Sequence, residues 1–125
     1  MVTPGSRTDP ADGDGESLPA EQASSYRDLV VRCNYLSQDR TDIMYTVKEL
    51  CRHMSRPDHR DWRALKRLGR YLINKTRVVT VFKYQEAVKD LSVWVGTHFA
   101  GCAETRRSTS GGIAAFGGHT IKGLE

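Results

Sequence analysis

The chain has 125 residues, a formal net charge of +4 and hydrophobic side chains at 38% of its positions. This length is enough for about one domain with a modest core. No apolar run approaches the ~20 residues that a membrane span needs. Three cysteines without paired spacing or a preceding signal peptide exclude a secreted disulfide scaffold. We therefore expect a soluble protein of the cytoplasm or nucleus, with no membrane partner.

The first 25 residues differ in composition from the rest of the chain. They contain one arginine, five acids, no aromatic residue and few branched aliphatic side chains. Such a segment cannot bury enough apolar surface to offset the entropy lost on ordering. We predict that residues 1–25 form a disordered acidic linker.

Residues 26–54 show the periodicity of two amphipathic helices. Ser25, with Asp28 three residues on, matches a capping box that predicts a first helix from about Tyr26 to near Ser37. The apolar stripe of this helix comprises Tyr26, Leu29, Val30, Cys33 and Leu36. A second helix is predicted to begin at residue 41 or 42 and to end at the segment Ser55-Arg-Pro57. Cys33 and Cys51 fall on apolar faces and are assigned to the core.

A third amphipathic helix is predicted over about residues 58–73. Its apolar side comprises Trp62, Leu65, Leu68, Tyr71 and Leu72, and its outer side Arg63, Lys66, Arg67 and Arg70. The block 26–77 holds 13 basic and six acidic residues, a net charge of +7. Cations gathered on one face repel each other, and a phosphate backbone opposite them would bind in a salt-dependent manner. A solvated helix surface is the alternative.

From Val78 the pattern changes to that of β-strands. Residues 78–84 are rich in β-branched and aromatic side chains, and residues 85–90 form a polar connection. Apolar and polar positions then alternate from Leu91 to Gly96. Residues 110–116 have the composition of another strand, and Gly117-Gly118 predicts a tight turn into residues 119–122. The fold class is therefore predicted to be α+β, with a linker at 1–25, a basic helical region at 26–77 and strands at 78–125.

Several segments occur in a recognisable order. The stretch from Trp94 to Gly112 contains Phe-Ala-Gly-Cys followed by Thr-Arg-Arg-Ser-Thr-Ser-Gly-Gly. It resembles the start of the ribonuclease H domain in the Pol polyproteins of copia-type LTR retrotransposons. Upstream, Asn34-Tyr-Leu-Ser37, Met54-Ser-Arg-Pro57 and residues 62–72 resemble the helical region that joins reverse transcriptase to ribonuclease H. The resemblance implies a fragment whose last third is an incomplete antiparallel ribonuclease H-like β-meander.

The same resemblance implies that neither catalytic centre of the family is present. Ribonuclease H uses two divalent cations, Mg²⁺ in the family, which carboxylates hold ~4 Å apart. Gly96 and His98 fall on the two aspartate positions of the first strand, where glycine offers no ligand atom and imidazole is a poor ligand for Mg²⁺. The family's next catalytic acid lies beyond Glu125, and no adjacent Asp-Asp pair, the polymerase motif, occurs in the chain. We expect a degenerate copy with no catalytic residue, metal or cofactor of its own.

The histidines allow a second interpretation. His98, Cys102 and His119 are soft zinc ligands, but their spacing matches no recognised finger and a fourth ligand is missing. His53 and His59 are assigned to the surface rather than to catalysis.

The residues Arg106, Arg107, Ser108 and Thr109 form a candidate phosphate-binding loop. Guanidinium and hydroxyl groups can both contact a nucleic-acid backbone. The alternative is a polar turn whose hydroxyls bond their own backbone.

The resemblance implies a family role in RNA-templated DNA synthesis and in cleavage of the RNA of a hybrid. We expect this chain itself to be an inactive fragment that binds an RNA/DNA hybrid or duplex weakly and associates with the remainder of the Pol polyprotein. The alternative is a domesticated, non-enzymatic module that binds nucleic acid or protein.

Overall fold

The computed structural model describes residues 15–100 and 105–124, which form three helices followed by a three-stranded sheet. The elements are α1 (Ala20–Ser37), α2 (Thr41–Arg52), α3 (His59–Asn74), β1 (Leu91–His98), β2 (Thr109–Phe116) and β3 (His119–Leu124). The chain divides into two compact units, Met1–Val78 and Val79–Glu125. The predicted α+β class is confirmed. Within the described ranges, no helix is both long and apolar enough to span a membrane.

The core of the helical unit forms where the apolar stripes of its three helices meet. Its fully buried side chains are Tyr26, Val30, Ile43, Val47 and Leu68. Cys33 and Cys51 pack against this core and are partly buried, as the sequence predicts. Burial raises the pKa of both thiols, so they stay protonated at neutral pH.

Helix α1 begins at Ala20, six residues before its predicted start. Leu18 and Ala23 are buried, and the Leu18 amide donates a hydrogen bond to the Pro57 carbonyl at 3.0 Å. These contacts offset the conformational entropy that the segment loses when it becomes ordered, which its composition alone did not indicate. Ser25 therefore lies inside the helix and caps nothing. The prediction of a disordered linker is wrong for residues 17–25, and its first 14 residues lie outside the described ranges.

A capping box starts helix α3, although the sequence analysis placed one at α1. The Asp58 carboxylate accepts hydrogen bonds from the amides of Arg60 and Asp61, at 2.8 and 3.0 Å. The Asp61 carboxylate in turn accepts from the Asp58 amide at 2.9 Å. Such reciprocal bonds satisfy amides that a helix start otherwise leaves without partners. Helices α2 and α3 begin within a residue of the predicted positions.

The second unit is an antiparallel meander in the order β1-β2-β3. Strands β1 and β2 pair continuously from Leu91↔Phe116 to His98↔Thr109, whereas the β2–β3 register shifts between Ala114 and Ala115. The sheet has little cover, and among its described residues Ala115 is the buried hydrophobic side chain. Large apolar side chains are exposed on both faces of β1, including Val93, Trp94 and Val95.

Residues 78–84 form no strand, contrary to their composition. β-Propensity reflects packing against paired strands, and this segment has no ladder partner in the described ranges. Its end instead contacts the β2–β3 turn. The Gln85 side chain donates to the Phe116 carbonyl at 3.0 Å and accepts from the Gly118 amide at 2.9 Å. Gly117 in that turn has a φ of +59°, which glycine adopts without strain.

Candidate nucleic-acid interface

The outer face of α3 presents the four cations that the sequence assigns to it. Arg63, Lys66 and Arg70 are exposed and Arg67 is half-buried, while Leu65, Leu68 and Tyr71 are buried. The helical repeat produces this division, because residues three and four apart share a side. At a rise of ~1.5 Å per residue, positions 63 to 70 extend over ~10 Å of the helix. We call these four residues the α3 basic face.

A packed aromatic ring positions one of these cations. The Lys66 ammonium lies 5.7 Å from the centroid of the Trp62 ring, which is a cation–π contact. Such a contact at an accessible site contributes about 0.5–1 kcal/mol. It restricts the side chain without neutralising it, so the charge of Lys66 stays available to an anion.

Other basic residues of the helical unit have structural roles. Arg40 is only 7% exposed. Its side chain donates hydrogen bonds to both carboxylate oxygens of Asp42, at 2.8 and 2.7 Å, and to the Lys75 carbonyl at 3.1 Å. The Tyr71 hydroxyl also donates to Asp42, at 2.8 Å. The hydrogen bonds from Arg40 lower the pKa of Asp42, and the bond to that carboxylate raises the pKa of Tyr71. This partly buried network joins the start of α2 to the end of α3. The net charge of the block therefore overstates its capacity to bind anions.

His53 belongs to a partly buried network, although 36% of its side chain is exposed, so its assignment to the surface holds only in part. Its Nδ1 lies 2.6 Å from a carboxylate oxygen of Asp61, a residue only 8% exposed. The same carboxylate completes the α3 capping box. The pair therefore joins the α2–α3 connection to the first turn of α3. No pattern of spacing in the sequence indicates this contact between His53 and Asp61, because the α2–α3 connection separates the two residues along the chain. His59 is half-buried at the start of α3.

The arginine loop contains two exposed arginines and a serine that has a backbone partner. Arg106 and Arg107 are exposed, and Arg106 has a φ of +54°. The Ser108 hydroxyl accepts a hydrogen bond from the Ala100 amide at 3.3 Å, which is the backbone role expected of a polar turn. Thr109 is the first residue of β2 and pairs with His98. The two arginines are thus presented to solvent, whereas Ser108 has a structural partner.

The positions that the resemblance aligns with catalytic aspartates do not fit Mg²⁺. Gly96 and His98 lie on one face of β1, paired with Gly111 and Thr109, and both are exposed. A Cβ atom added at Gly96 would meet nothing within 4 Å, so the backbone leaves room for the side chain that is missing. No group of three or more histidine, cysteine or acidic side chains within the described ranges could hold a metal ion.

The sheet register also separates the two histidines of the zinc interpretation. His98 pairs with Thr109 at one end of β2, and His119 pairs with Phe116 at the other. Seven residues of strand correspond to ~23 Å, far beyond the reach of a shared ion. The His119 ring instead lies 2.7 Å from the Lys83 carbonyl oxygen. Cys102 lies outside the described residues.

Two plant proteins are similar to this chain. It is 33% identical over 88 residues to an uncharacterized mitochondrial protein of Arabidopsis thaliana, covering 70% of this chain and 36% of that protein. Over 107 residues it is 33% identical to the retrovirus-related Pol polyprotein from transposon RE2 of the same species, covering 86% of this chain. That alignment covers only 7% of the polyprotein. No protein-family model and no solved structure matches the chain.

The similarity to the RE2 polyprotein confirms the relation to retrotransposon Pol polyproteins that the sequence motifs predict. The aligned part of the RE2 polyprotein is a small share of its length, so the similarity concerns one segment of a much longer protein. The chain is thus related, over 107 residues, to one segment of a retrotransposon Pol polyprotein.

Proposed function

We propose that this chain is a non-catalytic segment from the reverse transcriptase to ribonuclease H junction of a retrotransposon Pol polyprotein, and that it binds the backbone of an RNA/DNA hybrid or duplex. The observation that carries the proposal is the α3 basic face, where the apolar residues of the helix pack inward and the cations point outward. The exposed Arg106 and Arg107 provide a second contact to phosphate.

The magnitude of this binding follows from counterion release. Each phosphate neutralised on a duplex contributes about −0.9 to the slope of log K against log salt. Contacts from Lys66 and Arg70 of the α3 basic face give a slope of about −1.8, which is a loss of roughly tenfold in affinity between 50 and 200 mM salt. The binding should therefore weaken as the salt concentration rises and be independent of base sequence.

The absence of catalysis is inferred from the residues that replace the family's acids. Gly96 supplies no oxygen, His98 supplies a nitrogen, and the polymerase motif of adjacent aspartates does not occur in the sequence. Metal-dependent hydrolysis of a phosphodiester needs carboxylates that hold both cations.

Fluorescence anisotropy with a labelled RNA/DNA hybrid tests the binding. Replacing Arg70 on the α3 basic face by glutamine should flatten the salt slope by about 0.9. The matched control is Arg32→Gln, which removes an exposed arginine from α1. Equal slopes for the two variants would refute the assignment of the interface, and Mg²⁺-dependent cleavage of the hybrid by the wild-type chain would refute the absence of catalysis.

The domesticated module remains an alternative because the helical unit has a core and a partly buried polar network of its own. It predicts that the chain unfolds cooperatively. A molten chain that binds the fluorescent dye ANS would argue against that alternative.

A further inference from the structure

A shallow pocket of about 300 Å³ lies in the helical unit, and none of the four residues of the α3 basic face lines it. It forms where the segment before α1 and the first turns of α1 meet the α2–α3 connection. Leu18 and Pro57 line its apolar part, and the backbone hydrogen bond between them, 3.0 Å long, fixes this wall. Arg27 and Arg56 line its polar part, together with Ser17 and Ser55.

Both arginines are held in place by neutral oxygen atoms. Arg27 donates through Nε to the Met54 carbonyl at 2.8 Å and through Nη2 to the Ser55 carbonyl at 3.3 Å. Arg56 donates through Nε to the Ser17 hydroxyl at 2.9 Å. A carbonyl or hydroxyl oxygen orients a guanidinium group but cancels none of its charge. The remaining N–H groups of each fork can still bond an anion.

This arrangement differs from that of other arginines in the same unit. Arg40, Arg52 and Arg60 each pair with a carboxylate, at 2.7, 3.0 and 3.2 Å. Those three charges are balanced within the fold. The two pocket arginines, by contrast, are oriented without being neutralised by a carboxylate of the described residues, and they line one concave surface.

We propose that this pocket binds a phosphate group, the chemistry shared by a nucleic-acid backbone and free phosphate. Guanidinium forks match phosphate oxygens in a bidentate manner, and two oriented guanidinium groups on one concave surface can contact the same phosphate. The site lies near the start of α3, because Pro57, which lines the pocket, stands two residues before the helix begins at His59. A strand bound along the α3 basic face could thus place a phosphate here. The nucleic-acid source rests on the proposed function, whereas phosphate binding itself does not.

Amide NMR of the full chain tests the proposal, with inorganic phosphate and then a short RNA/DNA hybrid as probes at constant ionic strength. Phosphate should shift the amides of Ser17, Ser55 and Arg56. Replacing Arg56 by glutamine should weaken this binding roughly tenfold or more, because a charged hydrogen bond is lost. The matched control, Arg32→Gln, should leave it unchanged. Equal weakening in both variants, or shifts spread over all basic residues, would overturn the pocket.

The two probes separate the possible sources of the phosphate and the two proposals. Shifts at the pocket with both probes support a backbone phosphate, and shifts with inorganic phosphate alone support free phosphate. Hybrid binding whose salt slope flattens in Arg70→Gln, without pocket shifts from either probe, would overturn this inference and leave the proposed function standing. Arg56 has one side-chain bond to an exposed serine, so its variant should fold, and an unchanged thermal unfolding midpoint checks this.

Discussion

Replacing Asp42 by alanine tests whether the partly buried network of Arg40, Asp42 and Tyr71 stabilises the helical unit. The change removes the acceptor of two hydrogen bonds from Arg40 and one from Tyr71. Leaving a buried charge without its partner costs about 3–5 kcal/mol. Because 28% of the Asp42 side chain is exposed, water can replace part of what is lost. We therefore expect the free energy of unfolding to fall by about 3 kcal/mol.

Urea unfolding followed by circular dichroism at 222 nm measures this loss, since every helix of the described residues lies in the first unit. The matched control is Glu49→Ala in the same helix. Glu49 pairs with Arg52 at 3.0 Å, but both side chains are partly exposed, so its loss should cost less than about 1 kcal/mol. Equal costs for the two variants would refute the argument that burial decides the strength of these pairs.

The network should also contribute to the dependence of stability on pH. The hydrogen bonds from Arg40 lower the pKa of Asp42 in the folded state below its ordinary value of 3.8. The contribution of ionised Asp42 to the free energy of unfolding is therefore complete above that value, and it is lost as the pH falls through the folded-state pKa. Between pH 5 and pH 3, the wild-type chain should lose more stability than Asp42→Asn. Parallel pH profiles for the two proteins would contradict this sign.

Three further changes test the core, the sheet edge and the degenerate catalytic position. Leu68→Ala empties a fully buried site and should cost about 2–5 kcal/mol in urea unfolding, whereas the exposed Ile73→Ala should cost far less. Val95→Lys places a charge on the uncharged edge strand β1 and should lower self-association in sedimentation velocity; unchanged association would show that this edge does not mediate it. Gly96→Asp should fold normally, because nothing lies within 4 Å of the new Cβ. This variant should show no Mg²⁺-dependent cleavage of a labelled hybrid. Cleavage would show that the absence of this one acid is what prevents catalysis in the wild-type chain.

Several features could be predicted from the sequence because they depend on local periodicity. The starts of α2 and α3 follow from spacings of three and four residues, and strand β1 follows from alternation. The α3 basic face is predictable for the same reason, since its cations and its buried residues repeat together along one helix. The family relation rests on motifs in a fixed order, which need no knowledge of contacts.

Other features depend on partners far apart in the chain, so only the tertiary structure decided them. Helix α1 extends back to Ala20 because Leu18 and Ala23 are buried, and residues 78–84 form no strand because no ladder pairs with them. A count of charges cannot show that Arg40 is buried against Asp42 while Arg27 and Arg56 line a pocket. The physical reason is that periodicity determines which side of an element is apolar, whereas the neutralisation of a charge depends on which atoms the fold brings within hydrogen-bonding distance.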